Sequence, residues 1–338
     1  MPMKIIVAFL LVAILSGCST TAPGLKTGDR IQSVEGRQVE RKRPLMAFTD
    51  KTYWPSGQLQ YEYTVSLNNT RNGPYKGWFE NGSLQEEGNY VDGFLDGPFK
   101  NWYENGKVKQ EASYTYGKLN GPCKSWYENG NLQEEVTYKD GMLDGTVSVY
   151  CDNGQIREKV GFQMGKKEGK EEVYLMCTGS IREERPYRNG KLDGEVKIYF
   201  QSGKLKEKAS YTMGAKEGLV VSYYEDGGIE LEQPFISGKP HGTTREYYAN
   251  GKLREESNYR NGRLEGTCKD YFENGKLAME SNYMRGFKNG PVKQYYDSGG
   301  LKLEEYYRDD ELVGTRTQYD EKGRVVEKSN FGDGKSAY

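Results

Sequence analysis

A glycine recurs every 24 or 25 residues from Gly57 to Gly323, through Gly82, Gly106, Gly130, Gly154, Gly179, Gly203, Gly227, Gly251, Gly275 and Gly299. A chain with one fixed short period folds as an array of identical small units, each burying its apolar side against its neighbours. A second glycine series runs in the same period from Gly73 to Gly314, and a third from Gly93 to Gly286. Where the third series lacks glycine it has Asn69 and Asp310, residue types that tolerate a left-handed backbone, so all three series read as turns. Between the turns lie stretches of six to eight residues with alternating polarity, such as Pro122–Glu128 and Leu132–Tyr138. They read as an outgoing and a return strand, with a tight hairpin at Asn129-Gly130 and a longer turn over 139–145.

The expected fold is therefore all-β: a single-layer, twisted meander of antiparallel hairpins over residues 52–328. About eleven two-strand repeats at about 4.8 Å per strand make an elongated array about 100 Å long before twisting. Leu, Ile, Val and Phe are too few for one large core, which argues against an ordinary compact enzyme. Five residues after each glycine of the second series stands an aromatic: Trp78, Trp102, Trp126, Tyr150, Tyr174 and onward to Tyr319. A further aromatic, from Tyr90 to Tyr307, shares one face of the return strand with the aliphatic six residues before it. Glu87, Glu111 and Glu135 should lie across from Lys76, Lys100 and Lys124 as cross-strand charge pairs.

The repeating unit, Gly-x-x-Lys-x-Trp/Tyr-Tyr-Glu-Asn-Gly-x-Leu-x-Glu-Glu-x-x-Tyr-x-x-Gly-x-x-Asp/Asn-Gly, resembles the MORN repeat variant found in bacterial proteins of the YwqK type, often labelled antitoxin components. That resemblance implies a scaffold or binding module without catalytic residues or cofactors.

Residues 1–17 read as a signal peptide, with Lys4 before the apolar run Ile5 to Leu15, which is too short for a permanent transmembrane helix. Leu15-Ser16-Gly17-Cys18 has the pattern of a bacterial lipoprotein cleavage site, so Cys18 is the expected lipid attachment residue and membrane anchor. Ser19, rather than Asp, after Cys18 favours the outer membrane of the bacterial envelope. Residues 18–51 form the lipidated N-terminus and a flexible tether, and 329–338 a C-terminal tail.

Sites for chemistry are sparse. His241 is the only histidine and stands where other repeats carry a turn Asp or Asn, which leaves no His-centred triad or cluster of His metal ligands. Asp92, Asp96, Asp140 and Asp144 fall in glycine turns without calcium-loop spacing. With 48 basic and 49 acidic residues, no global charge draws the chain to nucleic acid. No cofactor, metal or catalytic residue is expected. Cys123, Cys151, Cys177 and Cys268 are expected as free thiols, because a return strand should separate Cys151 from Cys177 by about 9–10 Å. The candidate partner-binding residues are Trp54, Trp78, Trp102, Trp126, Tyr150 and Tyr174, since all four tryptophans lie at the anchored end. The expected function is a membrane-anchored protein-binding scaffold, antitoxin- or immunity-like in its sharper form. The alternative is a structural envelope lipoprotein that binds glycan or lipid through its aromatic face.

Overall fold

The computed structural model describes residues 47–332, and every helix-free repeat among them is built from antiparallel strands, 32 in all. Cys18, the signal peptide, most of the tether and the end of the tail lie outside the described residues. The chain divides into two compact units, the first running to Gly169 with Val173–Gly179, the second comprising Lys170–Glu172 and Ser180 onward.

In the first unit one repeat reads as a return strand Leu84–Val91, a two-residue strand Phe94–Leu95 and an outgoing strand Gly97–Trp102. The same three pieces recur as Val108–Thr115, Lys118–Leu119 and Gly121–Trp126. Each long strand pairs with the long strands before and after it in sequence, as Tyr75↔Gly88 and then Glu87↔Lys100 illustrate. The hairpin array expected from the glycine period is thus the observed architecture.

The two turn types are exchanged relative to the expectation. The Asn-Gly turn is a three-residue loop: the amide of Gly82 donates to Phe79 O at 2.9 Å, that of Phe79 to Ser83 O at 2.9 Å, and Gly82 has φ 85°. That is a type I turn closed by a left-handed bulge residue. The two-residue turn is the one at Asp92-Gly93, whose φ values of 49° and 86° are both positive, as a type I′ turn requires. It pairs Val91 with Phe94 and Tyr90 with Leu95. The apparent length of this connection came from the break at Asp96-Gly97, after which the outgoing strand begins.

Alternation along the strands separates two faces. On Val108–Thr115 the buried residues are Gln110, Ala112 and Tyr114, two apart, as a pleated strand demands. The core of the first unit is a contiguous row on this face, from Tyr63, Tyr75 and Tyr90 through Phe99, Tyr114 and Val136 to Val160. Its aromatic rings touch: Tyr75 and Tyr90 have centroids 4.9 Å apart, and Phe99 meets Tyr114 edge-on at 5.8 Å. Leu95 and Leu119, carried by the two-residue strands, are both buried. In the second unit the buried apolar residues are smaller, chiefly Val196, Ala209, Val220, Val221, Val292 and Val313, and are interspersed with buried Thr244, Ser257 and Ser281.

Three of the four free-thiol expectations are overturned: Cys123, Cys151 and Cys177 are all disulfide-bonded. Cys151 and Cys177 form a disulfide, with α-carbons 5.8 Å apart. Neither cysteine stands in a strand ladder; both lie in hairpin turns, where successive turns rest directly on one another and no return strand intervenes. The turn around Cys177 also carries an extra residue, and Met176 and Cys177 have φ of 29° and 61°. Among the described residues the free cysteine is Cys268, which is buried as expected.

Candidate binding surface

The face opposite the core carries the charged residues in register. Lys51, Glu62, Lys76, Glu87, Lys100, Glu111, Lys124 and Glu135 are successive cross-strand partners, alternating in sign across the first unit. Ion pairs close within hairpins, Lys100 to Glu111 at 2.7 Å and Lys124 to Glu135 at 2.8 Å. The second unit repeats the alternation from Glu232 and Arg245 to Lys293 and Glu304. These pairs are solvated, so each contributes well under about 1 kcal/mol. Their effect is to fix the register and fill the face with charge that is already balanced.

Beside this ladder in the first unit runs a row missed in the sequence: Pro74 opposite Asn89, Pro98 opposite Ser113 and Pro122 opposite Thr137. The signal was present as Gly-Pro at 73–74, 97–98 and 121–122, where it repeats in three consecutive units. Short rings beside long charged side chains leave a hollow of about 540 Å³ across these repeats, bordered by Lys76, Lys100, Lys124, Glu87 and Glu111. A groove of this size accepts a polypeptide segment or a short oligosaccharide.

The candidate aromatics all fall in the first unit and are all half-buried. Trp78, Trp102, Trp126, Tyr150 and Tyr174 close their outgoing strands in the same phase. The ammonium of Lys100 lies 5.6 Å from the Trp102 ring centroid, which places this aromatic row along the ladder. Trp54 is out of that phase. It stands where later repeats have Tyr103 or Tyr127, and it makes the same bond: Trp54 Nε1 donates to Trp78 O at 3.1 Å, as Tyr103 Oη does to Trp126 O at 2.7 Å and Tyr127 Oη to Tyr150 O at 2.8 Å. Trp54 is thus a clamp between hairpins, while Trp78, Trp102 and Trp126 end the same outgoing strands whose Pro74, Pro98 and Pro122 floor the groove, without lining it themselves.

The remaining motif residues serve turn stacking. Asn129 Oδ1 accepts from the amide of Asn131 within its own turn, while its Nδ2 donates to Asp152 O in the next. Lys107, next to its turn glycine, reaches Asn129 O at 2.7 Å. On the opposite edge Asp96 and Asp144 accept from the amides of Tyr116 and Met164, the positive-φ residues of the following turns. His241 does the same through Nδ1 to the Asn261 amide at 3.4 Å, which gives it the turn role anticipated for it.

Glu86, four residues after its turn glycine, points into the core beside Tyr75, and burial pushes its carboxyl up to about 7 against the pull of Arg71. Arg71 in turn stacks its guanidinium 4.0 Å from the Tyr63 ring centroid. The sequence reading singled out the exposed glutamates one position later and missed this buried one.

Among curated proteins, none matches the chain by sequence. Two solved structures resemble it weakly. A Tc holotoxin pore of Photorhabdus luminescens is 11% identical over 83% of this chain and 17% of that one, with a TM-score of 0.18. A TcdB2–TccC3 complex without its hypervariable C-terminal region is 10% identical over 85% of this chain and 18% of that one, with a TM-score of 0.15. The chain therefore spans less than a fifth of the length of either. The MORN repeat variant matches eight segments: 71–92, 95–116, 119–140, 192–212, 216–237, 240–261, 264–284 and 288–309. The gap from 141 to 191 contains the Cys151–Cys177 bridge. With over half of its 338 residues matched, each segment spanning an outgoing strand, its hairpin turn and a return strand, the chain belongs to the MORN repeat variant family.

Proposed function

We propose that this chain is a non-enzymatic repeat scaffold, lipid-anchored at Cys18 in the bacterial envelope, that binds a protein along the charged face of its first unit. The observation that carries the reading is the groove over Pro74, Pro98 and Pro122, lined by the charge ladder on strands that end in the half-buried Trp78, Trp102 and Trp126. Indole rings beside balanced charges supply the rigid apolar anchors and polar rim typical of a protein contact. A toxin-neutralising or immunity role is the sharper form of the same function.

The Cys151–Cys177 disulfide supports an exported location, because such bonds persist in oxidising compartments. Ser19 after Cys18 supports the outer membrane within that location. Replacing Cys18 with Ser is expected to release the protein from the membrane fraction and to abolish acyl labelling.

A second reading, envelope glycan binding, draws on the same groove, since the flat rings of Pro74 and Pro98 beside the polar Asn89 and Ser113 suit a sugar ring. The test is affinity purification of the tagged chain from its own envelope, with Trp78, Trp102 and Trp126 changed to Ala and with unchanged circular dichroism as a precondition. Loss of one defined co-purifying protein supports the scaffold. Loss of cell-wall sugar binding, with no protein bound to either form, supports the glycan reading instead.

A further inference from the structure

In the second unit the type I′ turns stack into a continuous edge. The amide of Gly262 donates to Pro240 O at 2.8 Å and that of Gly286 to Leu264 O at 2.9 Å, so each turn is tied to the one before it. Glycine is needed for its φ of 83° and 95° at Gly262 and Gly286, and the preceding turn lies in contact with it: a Cβ on Gly262 would lie 3.8 Å from Lys239 Cβ, and one on Gly286 would lie 3.7 Å from Arg263 Cβ. The stem of each cation therefore lies across the following turn and its head projects along the edge.

Over the three turns from Ile236 to Phe287 this edge is electrically one-sided. Lys239, Arg260, Arg263 and Arg285 are exposed, and no ion pair among the described residues reaches them. The acids that share the edge are turned inward: Glu217 accepts from the Ser237 amide and Glu265 from the Arg285 amide, each at 2.8 Å. The neutral turn at Thr212–Ala215 and the acidic turn at Asp309–Glu311 bound the basic run on either side.

Large apolar side chains stand among these cations, Ile236 at 49% exposure, Met284 at 46% and Phe287 at 50%. They flank the turns, whereas the tip residues are Ser237, Asn261 and Arg285. An edge that entered a bilayer would carry its apolar residues at the tips. This arrangement is one on which a chain lies lengthwise, with carboxylates on the cations and apolar side chains between them.

Successive turns are two strands apart, about 9.6 Å. An extended polyproline II segment advances about 9.3 Å in three residues and returns to the same side. We infer that the turn edge between Ile236 and Phe287 docks an extended acidic polypeptide segment with a carboxylate at about every third residue. The site lies in the other unit from the groove and uses none of its residues, so the two stand or fall separately.

The test is fluorescence anisotropy of the full chain with a labelled peptide of about twelve residues made of Glu-Pro-Pro units, against the same peptide with Gln for Glu. The expected result is salt-sensitive binding of the Glu peptide that weakens by about tenfold or more in Lys239→Glu/Arg260→Glu/Arg263→Glu. The milder Arg260→Gln/Arg263→Gln should weaken it less, and Lys118→Glu/Lys139→Glu in the first unit should leave it unchanged. Absence of binding to the wild-type chain, indifference to the cation changes, or equal binding of the Gln peptide overturns the inference. Capture of phosphatidylglycerol vesicles through these cations, without peptide binding, also overturns it and assigns the edge to lipid.

Discussion

At the residue scale, Tyr116, Met164 and Met213 hold φ of 46°, 47° and 51° at the first central position of their tight turns, where other repeats place Asp92, Asp140, Asn189 or Asn261. A bulky side chain in that region costs on the order of 1–2 kcal/mol, and these three side chains are exposed, so no burial offsets the cost. Met164→Asn is therefore expected to stabilise the chain by about 1 kcal/mol, read as a higher urea midpoint at unchanged slope. Glu86 works in the opposite sense, as a group whose burial makes stability depend on pH. Its folded pKa of about 7 lies above the ordinary 4.5, so between those values the folded state holds the proton more tightly than the unfolded chain. Its contribution is fully present below pH 4.5 and is lost as pH rises through about 7. A midpoint that falls over this window in the wild type and flattens in Glu86→Gln is the expected outcome, with a span on the order of 3 kcal/mol.

At the scale of the hairpin, the motif that made the period visible turns out to be the contact between units. Asn129 closes its own turn and bonds the next, Lys107 reaches forward from the previous one, and Tyr127 Oη donates to Tyr150 O. Tyr127→Phe removes one such bond while keeping the ring, and a loss of about 1 kcal/mol in unfolding free energy is expected. The period, the strand number per repeat and the charge ladder were legible because each depends on spacing alone. Turn types were not: Asn129-Gly130 and Asp140-Gly141 are both favourable hairpin dipeptides, and only the backbone pairing beyond them decides which is the two-residue turn. The cysteine pair was illegible for the same reason, since strand spacing predicts distances within a ladder and Cys151 and Cys177 lie beyond its end. Closing a loop of 26 residues, their bridge should stabilise the fold by about 3.5 kcal/mol in the chain-entropy account. Non-reducing peptide mapping should recover a Cys151–Cys177 link, and Cys151→Ser should lower the melt of the oxidised chain while leaving the part of the reductant sensitivity that belongs to the bonded Cys123.

For the whole molecule, stability follows from how each unit fills its buried face, because every hairpin pairs only with its sequence neighbours. The first unit places Tyr63, Tyr75, Tyr90, Phe99, Tyr114 and Tyr138 in one contiguous buried row, whereas the corresponding rings of the second, Tyr187, Tyr211, Phe235, Tyr259 and Tyr283, are only half-buried beside Val, Ala and Ser. An aromatic side chain buries about 150–250 Å² and adds about 0.5–1.5 kcal/mol for each well-placed ring pair. A repeat whose rings are fully buried is therefore more resistant to opening than one whose Tyr259 or Tyr283 is half-exposed beside Ser257 or Ser281, at nearly the same backbone geometry. In a linear array such differences are not averaged over one core; they remain local and appear as separate opening free energies. Hydrogen exchange should then show the slowest amides on the strands carrying Tyr75, Tyr90, Phe99 and Tyr114, and faster exchange on Leu253–Arg260 and Leu277–Met284. Tyr114→Ala should accelerate exchange in the repeats on either side of it and leave the strands of the second unit at their original rates. Uniform acceleration across both units would mean that the array opens as a single cooperative body, contrary to the nearest-neighbour account.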